Sequence, residues 1–408
     1  MNSQQHIIPA TQPGNRETAN ARINITCFIL AFGIMLARAF LYTGHMPLIH
    51  LACLAGKTAL IPIAFILALR TPGKPTSIDL GLLTYGIAMY VCCLINHTQI
   101  MTLTLLSLDV FIYWALCRWF FVRQSLFPLK AATWILLAFI AVNFLLVLWK
   151  PDGIWRYETS GKMYYLLGGN YNNMGKAMVI AIVSNILLLV MLPRNRQLVA
   201  TYLSTLIAII VLSIITLAFL GSMTSLLGIL ILICFGSLLL IPARILRIGS
   251  IVLFIAIYFA IQSWAVFRDT DAVSTHAEYF VENVLKKDMT FSMRTLVWDN
   301  AKGLIEQRPV IGYGENDDEW YNNELTGLTT HNLVLHILLK GGWIAMSAFL
   351  LLLLITHIRV LRNPSPELRY ILLFGLWTFL FMMIFEVYPI TSLAVFFIYA
   401  AYLKPQTA

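Results

Sequence analysis

The segment from residue 292 to 342 gathers side chains able to transfer a group between two polar partners: Arg294, His331-Asn332 and the turn Gly312-x-Gly314. An imidazole, with an ordinary pKa near ~6.5, accepts a proton from a hydroxyl around neutral pH. A guanidinium presents a planar fork of donors matched to phosphate or carboxylate. Each residue also has a plainer reading. His331 opens a long apolar run and could simply bond helix backbone as a polar cap. Arg294 stands near a helix start, where the macrodipole disfavours a cation. It therefore needs a partner, and that partner could be one of the twelve acids from Asp269 to Glu324.

Two helices are expected ahead of His331. Thr275 and Glu278 have capping-box spacing before the stripe Ala277, Val281, Val284, Leu285, which predicts a helix over 276–287. A second begins at Ser292 and stops near Pro309, whose ring and missing N–H end it. Along it Arg294, Trp298, Ala301 and Ile305 share a face, so guanidinium and indole can meet. His336 follows His331 by five residues, roughly 140° around a helix, so the two do not form a metal clip. His336 reads as a packing residue.

Further charge is embedded in apolar sequence: Arg38, Lys57, Lys176, Asp109 and Glu386. Such groups are costly in a bilayer unless they pair or face a hydrated cavity. Glu386, in FEVYP, is the acid expected nearest a site, with a buried pair to Arg38 as the alternative. Lys57, Lys176 and Lys340 could instead snorkel to the interface. The stretch GGNYNNMGKAMV offers Asn172 and Asn173 beside a span, either to line a sugar site or as part of an ordinary glycine turn.

Composition defines the elements that hold these groups. In 408 residues, 59% are hydrophobic and 12% charged, and apolar runs recur near the ~20 residues needed to cross a bilayer. An all-α, polytopic membrane bundle is expected. Its twelve runs lie at about 25–41, 47–69, 78–95, 100–116, 131–149, 175–192, 199–220, 226–241, 249–267, 331–356, 370–387 and 391–403. That divides the chain into a cytoplasmic tail (1–24), spans one to nine (25–267, with an outer loop at 150–174), a large outer loop (268–330), spans ten to twelve (331–403) and a short tail (404–408).

Placing both termini inside puts fifteen bases, among them Arg70, Lys74, Arg118, Arg123 and Lys404, against Glu17 and Glu367, as the positive-inside rule requires. The net charge of +9 is thus topological, and no basic face for nucleic acid is expected. All six cysteines fall in or beside apolar runs, which argues against a disulfide framework or cysteine metal site. The informative residues gather at one face, which favours an enzyme over a flippase or transporter with midplane sites.

Taken in order, the turn ending in Tyr171-Asn172-Asn173, the turn Gly221-Ser222-x-Thr224, Arg294-x3-Trp298, Pro309-x-x-Gly312-x-Gly314, His331-Asn332 and Gly341-Gly342 resemble the O-antigen ligase and Wzy-type polymerase superfamily over roughly residues 165–360. The resemblance implies a type C-like membrane glycosyltransferase that works without metal or other cofactor and inverts the anomeric centre. It implies a glycan donor on undecaprenyl diphosphate, with lipid A-core as acceptor in a ligase or a carrier-linked glycan in a polymerase. The location implied is a bacterial inner membrane with the active face periplasmic. Within it His331 resembles the catalytic histidine and Arg294 the arginine that holds the diphosphate. Where the family commonly has an arginine after Gly-Ser, this chain has Met223. Arg156, Lys176 and Lys162 are the candidates to replace that cation, with Asn332, Trp298 and Glu386 as further site residues.

Overall fold

Apolar runs of this length, with few charges and prolines mostly at their starts, have no way to satisfy their backbone in lipid except as helices. The computed structural model, which describes residues 14–156, 163–193, 195–241, 244–267, 290–325 and 329–405, is built that way. Twelve helices follow the twelve runs: α1 (Gly14–Phe40), α2 (Pro47–Arg70), α3 (Ser77–Asn96), α4 (Ile100–Phe121), α5 (Phe127–Trp149), α6 (Gly175–Met191), α7 (Arg196–Phe219), α8 (Met223–Ser237), α9 (Arg244–Phe267), then α12 (Leu333–Leu361), α13 (Pro366–Met382) and α14 (Ile390–Tyr402). Among the described residues between α9 and α12 lie two more, α10 (Thr290–Gln307) and α11 (Asp318–Leu325). The second was not expected, and the helix expected over 276–287 lies outside the described residues.

Eight helices among the described residues are long and apolar enough to cross a membrane, with Ile25–Phe40, Met223–Ser237 and Ile390–Tyr402 as shorter apolar pieces. The all-α polytopic bundle is as expected, and the remaining apolar helices among the twelve are shorter pieces. Both α13 and α14 are buried by other helices along most of their length, and a helix enclosed in protein need not match the hydrocarbon thickness. Helix α6 is likewise enclosed, whereas α2, α7 and α9 turn leucines, isoleucines and phenylalanines outward. Helix α1 starts at Gly14, inside the stretch expected to be tail. The outer loop 150–174 holds a small antiparallel sheet, β1 (Trp155–Arg156), β2 (Met163–Tyr165) and β3 (Gly169–Asn170), with Trp155 opposite Tyr164 and Tyr165 opposite Gly169.

Successive apolar helices alternate in direction, so their connections collect on two faces. On one, Gly168 N–H donates to Phe40 O at 2.7 Å, Gln99 N–H to Glu315 O at 2.9 Å and Ser225 Oγ to Asn172 O at 3.0 Å. On the other, Arg118 donates to Gly73 O at 2.6 Å, Asn363 Nδ2 to Leu403 O at 2.9 Å and Tyr370 OH to Phe235 O at 2.9 Å. The first face carries the polar segment and the second the expected inside bases.

The apolar run that opens at His331 was expected as one span, 331–356. Instead it breaks at Gly342, with φ 55° and ψ −158°. The segment Pro309–Gly314 fills the break: Tyr313 N–H donates to Leu339 O at 2.8 Å, Gly314 N–H to Lys340 O at 2.7 Å, Trp343 N–H to Pro309 O at 2.8 Å and Ile344 N–H to Val310 O at 3.2 Å. A broken helix at membrane depth is tolerated only where other protein groups take up its backbone, and here they do. A Cβ at Gly312 would lie 2.5 Å from Leu339 O, and one at Gly342 2.3 Å from the Val310 carbonyl, so both positions admit only glycine. Glu315 extends the dock through its ion pair with Lys340, and Cys92 Sγ reaches Gly341 O at 3.4 Å. The glycine pair of the polar segment is therefore structural.

Candidate functional site

Helix α10 brings Arg294 to the first face. Its C-terminal end continues into the docked Pro309–Gly314 segment, and Trp298, one turn after Arg294, is buried and donates its indole N–H to Thr330 O at 2.8 Å. That bond ties α10 to the residue just before His331. Ala301 is fully buried on the same face.

His331 is not on a helix. It precedes the cap of α12 with φ 49°, a left-handed conformation uncommon outside glycine and found disproportionately at functional sites. The capping work belongs to Asn332, whose Oδ1 accepts from Leu335 N–H at 3.1 Å. Asn332 is fully buried, exchanges two 3.1 Å hydrogen bonds with the Gln262 side chain and donates to Ile384 O at 3.1 Å. Leu333 N–H donates to Met383 O at 2.9 Å. Orphan groups at the start of α12 and the end of α13 thus satisfy one another, and His331 is released from the role of cap.

The end of α13 sets Glu386. The helix stops at Met382, short of the expected residue 387, so Glu386 lies in the connection to α14 rather than within a span. Its carboxylate stands between two nitrogen groups: Arg294 at 3.4 Å on Oε2 and His331 Nδ1 at 3.4 Å on Oε1. The imidazole contact has ion-pair distance without hydrogen-bond alignment. Glu386 is 7% exposed, while the Arg294 and His331 side chains keep 20% and 31% exposure, so the acid is enclosed and the bases open outward.

Lys176, 6% exposed near the start of α6, lies within Coulombic reach of Glu386. Asn172 contributes its carbonyl, which accepts from Ser225 Oγ at 3.0 Å and Tyr388 OH at 3.4 Å, while Asn173 leaves a buried Oδ1 without a hydrogen-bond partner. Burial first, then the Glu386 carboxylate, push the Tyr388 phenol well above its usual range, so it remains a neutral donor. The site thus joins one acid with three bases inside a partly dehydrated recess, an arrangement suited to receiving an anion and a hydroxyl together.

The remaining expectations divide. Among the described residues the partner of Arg294 is Glu386; the loop acids from Asp269 to Asp288 lie outside them. The pair Glu386–Arg38 does not form; Arg38 acts instead on Asp109, which holds Lys57 at 2.8 Å. Lys57 is 1% exposed and Lys340 is paired with Glu315, so neither snorkels. Arg156 is exposed on β1 opposite Met163 and has no ion pair among the described residues, and Lys162 lies outside the described residues. Met223 opens α8 with 43% exposure. Sequence reasoning missed Gln262, Thr330 and Tyr388. Only Gln262, a polar residue in an apolar run, carries a signal that could have been read.

Residues 208–350 match the family model described as O-antigen ligase, Wzy_C. The match spans α7 to the first part of α12 and so includes Arg294 and His331; Lys176 and Glu386 lie outside it. No curated protein matches the chain.

Proposed function

We propose, supported by the match of residues 208–350 to the O-antigen ligase family model, that the chain transfers a glycan from undecaprenyl diphosphate to the outer core sugar of lipid A-core on the periplasmic side of the inner membrane. The observation that carries the reading is Glu386 held between Arg294 and His331, each at 3.4 Å, on the face that bears the polar segment.

In this reading the acceptor hydroxyl attacks C1 of the donor sugar as the C1–O bond to the diphosphate breaks. One displacement on the far side from the leaving group inverts C1. The hydroxyl proton passes to Nε2 of His331, because Nδ1 faces Glu386, and the carboxylate stabilises the resulting imidazolium. Charge developing on the departing diphosphate meets Arg294, which exchanges Glu386 for phosphate oxygens, and Lys176, which supplies the cation missing at Met223. Fixed cations in a dehydrated recess stabilise that charge without reorganising at the moment of reaction.

The test is His331→Ala in the full chain, with membrane level and thermal stability matched to wild type. Loss of polysaccharide attachment to lipid A-core is expected, and attachment at the wild-type rate would overturn the assignment. Complementation sets the acceptor: the chain should restore long surface polysaccharide in a strain lacking its ligase and not in one lacking its polymerase. The opposite pattern would replace lipid A-core by a carrier-linked glycan.

A further inference from the structure

A second polar site lies on the opposite face from Glu386. The connections α2–α3 and α4–α5, the end of α12 and the residues after α14 enclose a cavity of about 380 Å³. That is within the ~300–1,000 Å³ usual for small-molecule sites and generous for a single inorganic anion. Three cations line it, Lys74, Arg359 and Lys404, and no acid does among the described residues. Neither Lys74 nor Lys404 has an ion-pair partner among the described residues, and Arg359 makes a single long bond of 3.5 Å to Ala401 O. The nearby acid, Asp79, is not among the lining residues and its oxygens are engaged elsewhere: it accepts from Thr76 N–H at 2.6 Å, Trp114 Nε1 at 2.8 Å and Tyr402 OH.

The wall is also built in advance. Arg118, 4% exposed, donates to Gly73 O at 2.6 Å and Ala68 O at 3.4 Å, which pins the linker that carries Lys74. The lining also includes the neutral polar Thr76, Gln124 and Ser125 and the apolar Phe121, Met191 and Leu403. A cavity with unneutralised cations at one part and hydrocarbon at another matches an amphiphile with an anionic head.

We propose that this cavity binds the phosphate headgroup of an anionic glycerophospholipid, with Lys74, Arg359 and Lys404 around the phosphate and Phe121, Met191 and Leu403 against the first methylenes of the chains. Basic pockets between spans are the usual recognition surface for such headgroups, and each cation contributes roughly fivefold to binding.

Native mass spectrometry of the full chain, delipidated in detergent and titrated with short-chain phosphatidylglycerol, tests the site. The triple variant Lys74→Gln, Arg359→Gln, Lys404→Gln should lose roughly a hundredfold in affinity. A control variant at the same face but outside the cavity, Arg123→Gln, Lys130→Gln, Arg362→Gln, should stay within about threefold of wild type. Lys74→Gln alone, on an exposed linker, should fold normally and lose roughly fivefold. Equal losses in the triple and control variants would reduce the effect to general surface charge and overturn the proposal, as would unchanged affinity in Lys74→Gln. Inorganic phosphate binding as tightly as the lipid would replace it with a soluble anion.

Discussion

The break in α12 makes a demanding prediction for Gly342→Ala. Gly342 has φ 55° and ψ −158°, a region open essentially to glycine alone, so a side chain there carries ~1–3 kcal/mol of strain. Its Cβ would also sit 2.3 Å from the carbonyl carbon and oxygen of Val310, backbone atoms that cannot rotate away. The docked segment must then retreat, and at least the bonds from Trp343 to Pro309 and Ile344 to Val310 are lost, at ~1 kcal/mol net each. Together these give about 3–5 kcal/mol, which favours local opening by roughly two to three and a half orders of magnitude. Hydrogen exchange in lipid nanodiscs reads this directly at the amides of Tyr313, Gly314, Trp343 and Ile344. The same loss should reach α10, because the docked segment is its continuation, and should displace Arg294 from Glu386. Gly303→Ala is the control: that exposed helical glycine has open space around its Cβ position and should gain ~0.5–1 kcal/mol. Protection within about threefold of wild type in Gly342→Ala would refute the view that Pro309–Gly314 completes a broken helix.

Other perturbations follow from the same contacts. Asp109→Leu should cost ~3–5 kcal/mol in thermal unfolding, since it leaves the buried Lys57 charge uncompensated, while Lys57→Met with Asp109→Leu should recover the part of that loss due to Lys57, with Arg38 still lacking its acid; a double variant as unstable as Asp109→Leu would argue against it. Asn332→Ala removes a helix cap and its bonds to Gln262 and Ile384, and should cost about 2–4 kcal/mol, with exchange rising at Leu335 and Leu333. In Gln262→Leu the loss should be smaller by about 1 kcal/mol, because the cap itself survives, and calorimetry of the two variants side by side checks the order.

Much of the fold was readable because it depends on composition. A run of apolar residues must become a helix in lipid whatever its neighbours are, and the bias of lysine and arginine orders the connections into two faces. The end of α10 near Pro309 was readable for a local reason, the missing N–H. Where a helix end depends on a distant partner, sequence could not supply it. Glu386 falls outside α13 because the carbonyls of Met383 and Ile384, just past the helix, bond to Leu333 and Asn332, residues about fifty positions away.

The candidate site divides in the same way. Residue type alone marked Arg294, His331 and Glu386 as groups needing partners, because a cation at a helix start and an acid in apolar sequence are costly wherever they stand. Which partner each found was a matter of tertiary geometry: a salt bridge between residues 294 and 386 depends on where α10 and α13 end in space, and no spacing rule reaches across such a distance. The same holds for Gly312, Gly314 and Gly342. Sequence presents the first two as a turn and Gly342 only as part of a glycine pair, and only the docking of one backbone into the gap of another explains why a side chain cannot be there.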